Sequence, residues 1–128
     1  MLSANTRIEG MVMEDIYNQY VELCENMCTA DDYVDKAKLR KHNQAMRKIL
    51  DLHKKMKEFD SSELLAKLLS NSNEQVILHA ASFGIQNDVL YCRSMKALEN
   101  LDARSKDPSI SINAHMSIKY CDCKKRTK

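Results

Sequence analysis

The chain has 128 residues, 44% of them hydrophobic, and a formal net charge of +2, which sets the expectation at one modest domain, 1–128, with enough apolar material for a core. Two glycines and one proline in the whole length argue against a many-stranded sandwich or barrel, whose tight turns need such residues about every ten positions. The small net charge hides a segregation: residues 1–35 carry eight acids and one base, residues 36–57 nine bases and one acid, and residues 58–128 ten bases and nine acids.

Taken in chain order, Ile16, Tyr20, Leu23, Cys24, Met27 and Cys28 recur at spacings of three and four, the stripe of an amphipathic helix. A first helix is expected over about 14–28, after a loose start over 1–13. Thr29, Asp31 and Asp32 offer cap and turn chemistry before a long second helix, about 33–58, with Ala37, Ala45, Met46, Ile49, Leu52, His53, Met56 and Phe59 along its inner side. Asp60 and Glu63 have the spacing of a capping box ahead of a short third helix, about 61–69. Asn73 reads as the cap of a fourth, about 74–83, which Gly84 ends. Asn87 or Asp88 caps the fifth, whose Leu90, Ser94, Ala97, Leu98 and Leu101 share one face. Asp107 beside Pro108 opens the sixth, about 108–120, because proline at the first helical position gives up an N–H that has no partner there anyway. Residues 122–128 are polar and basic and read as a disordered tail.

Two segments repeat. Asn73, Val76, Leu78 and Ala80 match Asp107, Ile110, Ile112 and Ala114 at a constant offset of 34 positions, a period that suits stacked helical hairpins. Each is a cap residue followed by an aliphatic and small-residue helix start. The expected fold is therefore all-α, a HEAT-like α-α superhelix of about six helices. Leu64-Leu65 with Leu68-Leu69, then Val76-Ile77-Leu78-His79-Ala80-Ala81 and Ile112-Asn113-Ala114-His115-Met116-Ser117-Ile118-Lys119 resemble a small bacterial family known as domain of unknown function two thousand and nineteen. The likeness extends to Asp31-Asp32-Tyr33. It departs from the family pattern at Ile77–His79, where that pattern has arginine and tryptophan, and at Tyr120, where it has tryptophan. The resemblance implies a compact HEAT-like helical domain and carries over no catalytic residue.

The chemistry in the sequence is sparse. No G-x-S-x-G or phosphate-loop motif is present, and His42, His53, His79 and His115 lack the H-E-x-x-H spacing, so neither an enzyme nor a cofactor is expected. No basic-then-apolar leader opens the chain and no apolar run reaches the ~18 residues of a membrane span, so the expected location is cytoplasmic, with no membrane partner. Five cysteines, an odd number, then read as thiols. Cys24 and Cys28 continue the first helix's apolar stripe and read as core. Cys121 and Cys123 are expected to be more exposed, beside Lys119, Lys124 and Lys125, and offer an alternative thiol or metal site.

The strongest pattern is basic. Arg40–Lys41, Arg47–Lys48 and Lys54–Lys55 recur at intervals of seven, two helical turns apart, and make a positive stripe on the second helix. That stripe is the candidate interaction surface, unless it is simply a solvated face balanced by the acidic first helix. The expected function is protein–protein interaction, with an immunity or antitoxin-like partner as one form of it. The alternative is nucleic-acid binding through the stripe and the Lys124–Lys128 tail, where stacked cations would release counterions from phosphates.

Overall fold

The structure, a computed structural model, describes the backbone of residues 4–27 and 35–126 and the side chains of 13–27 and 35–121. Six helices account for them: α1 (Ala4–Glu25), α2 (Lys36–Met56), α3 (Ser62–Leu69), α4 (Glu74–Asn87), α5 (Tyr91–Arg104) and α6 (Pro108–Arg126). There is no strand among the described residues, and the all-α class is borne out. None of these helices is long and apolar enough to cross a membrane.

Side-chain oxygens set three of the helix starts. Asp35 accepts from the backbone N–H groups of Ala37 and Lys38 at the head of α2, and Asn73 accepts from Gln75 N–H at 2.9 Å. Asp107 accepts from Ser109 N–H at 3.0 Å. Each bond satisfies a donor that the first helical turn leaves without an intrahelical partner. Asp60 works differently from the expected capping box: its carboxylate takes both the N–H and the hydroxyl of Ser62, a local turn preceding α3. The cap residues Thr29, Asp31 and Asp32 lie outside the described residues.

α1 begins ten residues ahead of the expected Glu14, and Ile8 and Val12 carry the i, i+4 series of Ile16 backwards in the sequence. α6 runs six residues past Tyr120. A larger difference occurs at Gly84, which lies inside α4 instead of ending it. The helix continues to Asn87 and closes on Asp88, a left-handed residue at φ 57°, with the N–H groups of Asp88 and Val89 both turned to the Gly84 carbonyl. That closure fixes the next start. Leu90, also left-handed at φ 47°, precedes α5 without a side-chain cap, so neither Asn87 nor Asp88 caps it. Gly84 is needed for packing: a Cβ there would overlap Ser94 Oγ and stand 2.8 Å from both Ser94 Cβ and the Val89 carbonyl oxygen. The crossing of α4 and α5 thus requires a residue without a side chain.

α4 is the shared element. Eight of its fourteen residues are buried, which marks a helix apolar nearly all round and therefore central. Val76, Ala80 and Phe83 join a core with Ile16, Tyr20 and Cys24 of α1, Ile49, Leu52 and Met56 of α2, and Leu64, Leu65 and Leu68 of α3. Leu78, Ala81 and Ile85 face the other way, into a second core with Leu98 and Leu101 of α5 and Ile110, Ala114 and Cys121 of α6. Each fully buried leucine contributes roughly 1.5–3 kcal/mol of burial. The 34-residue correspondence holds for the caps and for the buried pairs Val76 with Ile110 and Ala80 with Ala114. It breaks at the third pair, because Leu78 is buried and Ile112 is 61% exposed. Ala81 and Ile85, buried on α4, likewise correspond to exposed His115 and Lys119 on α6.

Candidate functional site

All six residues of the basic stripe are exposed, and none forms an ion pair with another described residue. They occupy two rows about 100° apart around α2. Lys48 and Lys55 border a hollow shared with Gln19, Glu22 and Asn26 of α1, so this row stands beside the acidic helix without closing on it. Arg40, Arg47 and Lys54 lie opposite the buried Ala45–Ile49–Leu52–Met56 line and look to solvent. Leu50, 54% exposed, is three residues after Arg47 and four before Lys54, and helical geometry makes it the neighbour of both.

Leu50 leads to a groove of about 440 Å³ walled by three helices. α2 supplies Met46, Ile49, Leu50 and His53; α4 supplies Leu78, His79, Ser82, Phe83 and Gln86; α6 supplies Asn113, Met116, Ser117 and Tyr120. Its lining contains no Asp, Glu, Lys or Arg. Leu50, Met116 at 57% and Tyr120 at 56% exposure rise along its edges, while Ser82 and Ser117 hydroxyls meet at 3.2 Å between α4 and α6.

The histidines of this groove are held neutral. His53 Nε2 and the Tyr20 hydroxyl are 2.7 Å apart, tying α1 to α2, and the His53 ring tilts against Phe83 with centroids 5.1 Å apart. Burial, with lesser contributions from His79 and Lys57, pushes His53 down to about 4. Burial does the same to His79, again to about 4, with His42 adding to it. Removing a cation's hydration penalises the imidazolium form. His79 Nε2 is shut off from solvent and has no hydrogen-bond partner. Burial also keeps the Tyr20 phenol protonated, far above its ordinary range. His42 is lowered for the same reason as the other two, whereas His115 sits on the exposed side of α6, 3.0 Å from Asp102.

No family model, curated protein or solved structure matches this chain. The arrangement of its residues is therefore the ground for any functional reading. Among the described residues no three of His, Cys, Asp and Glu come together as a metal set. Cys121 is buried, not exposed as expected, and its sulfur lies 3.3 Å from the Tyr91 hydroxyl. The continuation of α6 past Tyr120 turns it inward on the Ile110–Ala114 face. The side chains of Cys123 and Lys124–Lys128 lie outside the described residues, as does Cys28. Cys24 is a core thiol, and burial pushes it up to about 12.

The sequence reading found the cations but missed the apolar wall beside them. One signal was available: Ile112, Met116 and Tyr120 form an i, i+4, i+8 series distinct from the buried Ile110–Ala114–Cys121 series, so α6 has two apolar faces. A hollow of about 520 Å³ also lies near the starts of α4 and α6. Three of its polar groups are engaged, Asn73 and Asp107 in capping and Glu74 with the Ser105 hydroxyl at 3.0 Å.

Proposed function

We propose that this protein is a binding module rather than a catalyst, a HEAT-like array whose α2–α4–α6 groove receives a protein partner. The observation that carries the reading is the convergence of Leu50, Met116 and Tyr120, each more than half exposed, on a groove without a charged residue. Exposed large apolar side chains gathered in one concavity mark interaction surfaces in a way that scattered ones do not. Helical hairpins in a stack offer a ridged groove of this kind. An immunity or antitoxin-like complex is one form such binding takes, and the charge segregation along the chain fits it.

The test is affinity capture from the source cell with the wild-type chain and with Leu50→Asp/Met116→Asp. A stoichiometric protein retained by the first and lost by the second is the expected result. Equal capture by both, or none by either, counts against the groove.

A second reading, nucleic-acid binding, draws on the eight Lys and Arg against one acid in α2. The groove speaks against it, because phosphates would require cations where Leu50, Met116 and neutral imidazoles stand, and base stacking would require more exposed rings than the one, Tyr120, in its lining.

A further inference from the structure

We infer that the α2–α4–α6 groove takes an amphipathic helix of a partner protein whose apolar stripe is flanked by acidic residues. This rests on the protein-binding reading above and adds the occupant's chemistry.

Three observations define that occupant. Its inward face has to be apolar, since Leu50, Met116 and Tyr120 are exposed and the lining carries no charge to pair with. Its edge on the α2 side has to be acidic: Arg47 and Lys54 flank Leu50, Arg40 lies two turns further along the same row, none of the three forms an ion pair with another described residue, and α2 holds only Asp51 against them. The α6 side has the same sign, for Lys119 is exposed three residues after Met116, its neighbour on the helix surface, and the described side chains of α6 include no acid. An acid-flanked apolar helix would satisfy floor and rims together, and burying its stripe would remove from water the apolar surface that Leu50 and Met116 expose.

The geometry favours a helix over an extended peptide. There is no strand among the described residues and so no sheet edge for an added strand to pair with. Met116 and Tyr120, four residues apart, form one ridge of α6, and Met46 and Leu50 form another on α2. A helix packs against such ridges by placing its own i, i+4 rows between them. The row from Arg40 to Lys54 spans about 21 Å at 1.5 Å per residue, the reach of a ligand helix of about four turns.

The experiment is a selection on the immobilised full chain. The library holds 16-residue helical peptides with a fixed Leu stripe and randomised flanks; binding is then measured by fluorescence polarisation at low and high salt. Asp and Glu should be enriched at the flanks. The enriched peptides should bind about tenfold or more weakly to Arg47→Glu/Lys54→Glu and to Leu50→Asp, with helicity at 222 nm unchanged. Enrichment of basic or neutral flanks, with binding still lost in Leu50→Asp, overturns the acidic helix and leaves the groove standing as a protein site. Binding unaffected by Leu50→Asp overturns both. Retention of a duplex DNA that is lost in the charge-reversal variant and kept in Leu50→Asp replaces the proposal with a nucleic-acid surface.

Discussion

Gly84→Ala tests the packing on which the groove depends, because α4 supplies the groove floor and α5 holds α4 in place. Alanine in a helix interior is favoured over glycine by about 1 kcal/mol, so an uncrowded Gly84 would make the substitution stabilising. The structure predicts the reverse sign. The new Cβ overlaps Ser94 Oγ and comes within 2.8 Å of Ser94 Cβ and the Val89 carbonyl oxygen, and Ser94 is fully buried, so it has no open space to move into. The carbonyl is less able to yield, because Val89 is the single residue between left-handed Asp88 and Leu90. Overpacking of this kind costs about 1–3 kcal/mol, and with backbone among the crowded atoms the upper part of that range applies. After the propensity gain, the expected net loss is about 2 kcal/mol, or about 8 °C in Tm for a chain of this size. Urea and thermal unfolding followed at 222 nm measure it. Adding Ser94→Ala removes the overlapping hydroxyl, which has no partner to lose, and should recover part of the deficit. A Gly84→Ala protein as stable as wild type would refute the close crossing of α4 and α5.

Two further outcomes follow from the buried titratable groups. His53 and His79 titrate near 6.5 in the unfolded chain and at about 4 in the folded protein, so between those values the unfolded chain binds more protons. Their contribution is complete above about pH 6.5, declines as the pH falls through that window and levels off below about 4, at a cost on the order of 3 kcal/mol per imidazole. NMR titration should find both rings neutral at about pH 5.5, and a midpoint near 6.5 for either would contradict the burial described. The cysteines should separate by access: exposed Cys92 reacts with a thiol reagent in the native protein, whereas Cys24 and Cys121 stay unmodified until urea is added. Peptide mapping decides this, and prompt labelling of Cys121 in the native state would refute its position against Tyr91.

The parts of this fold that were legible in the sequence are those fixed by local chemistry. Asn73 and Asp107 cap because their own side chains reach the N–H two residues ahead, and the Ile16–Tyr20–Cys24 and Ala45–Ile49–Leu52–Met56 lines follow from helical period alone. The start of α5 was not legible, because Leu90 takes a left-handed conformation that no cap residue announces; the closure of α4 on the Gly84 carbonyl and the Ser94 crossing impose it. The basic stripe was visible as spacing, but its division into a row beside α1 and a row beside Leu50 depends on how α2 packs. The groove was the least legible feature. The second apolar series of α6 sets Met116 and Tyr120 apart from its buried face, but that they converge with Leu50 on one concavity shows only once three helices are placed around a gap.

The broken correspondence between α4 and α6 bears on whether α6 can accept other helices as α4 does. Leu78, Ala81 and Ile85 form the surface by which α4 accepts α5 and α6, and the matching positions of α6 are Ile112, His115 and Lys119. His115 and Lys119 put polar side chains where α4 has Ala81 and Ile85, and Ile118 stands where α4 has Gly84, the position that must lack a side chain for the α4–α5 crossing. The outward face of α6 thus differs from that of α4 at the very positions that make the α4 joint. A designer wishing α6 to accept a hairpin as α4 does would change three positions, His115→Ala, Lys119→Ile and Ile118→Gly, the last because a hairpin crossing as closely as α5 does leaves no room for a side chain.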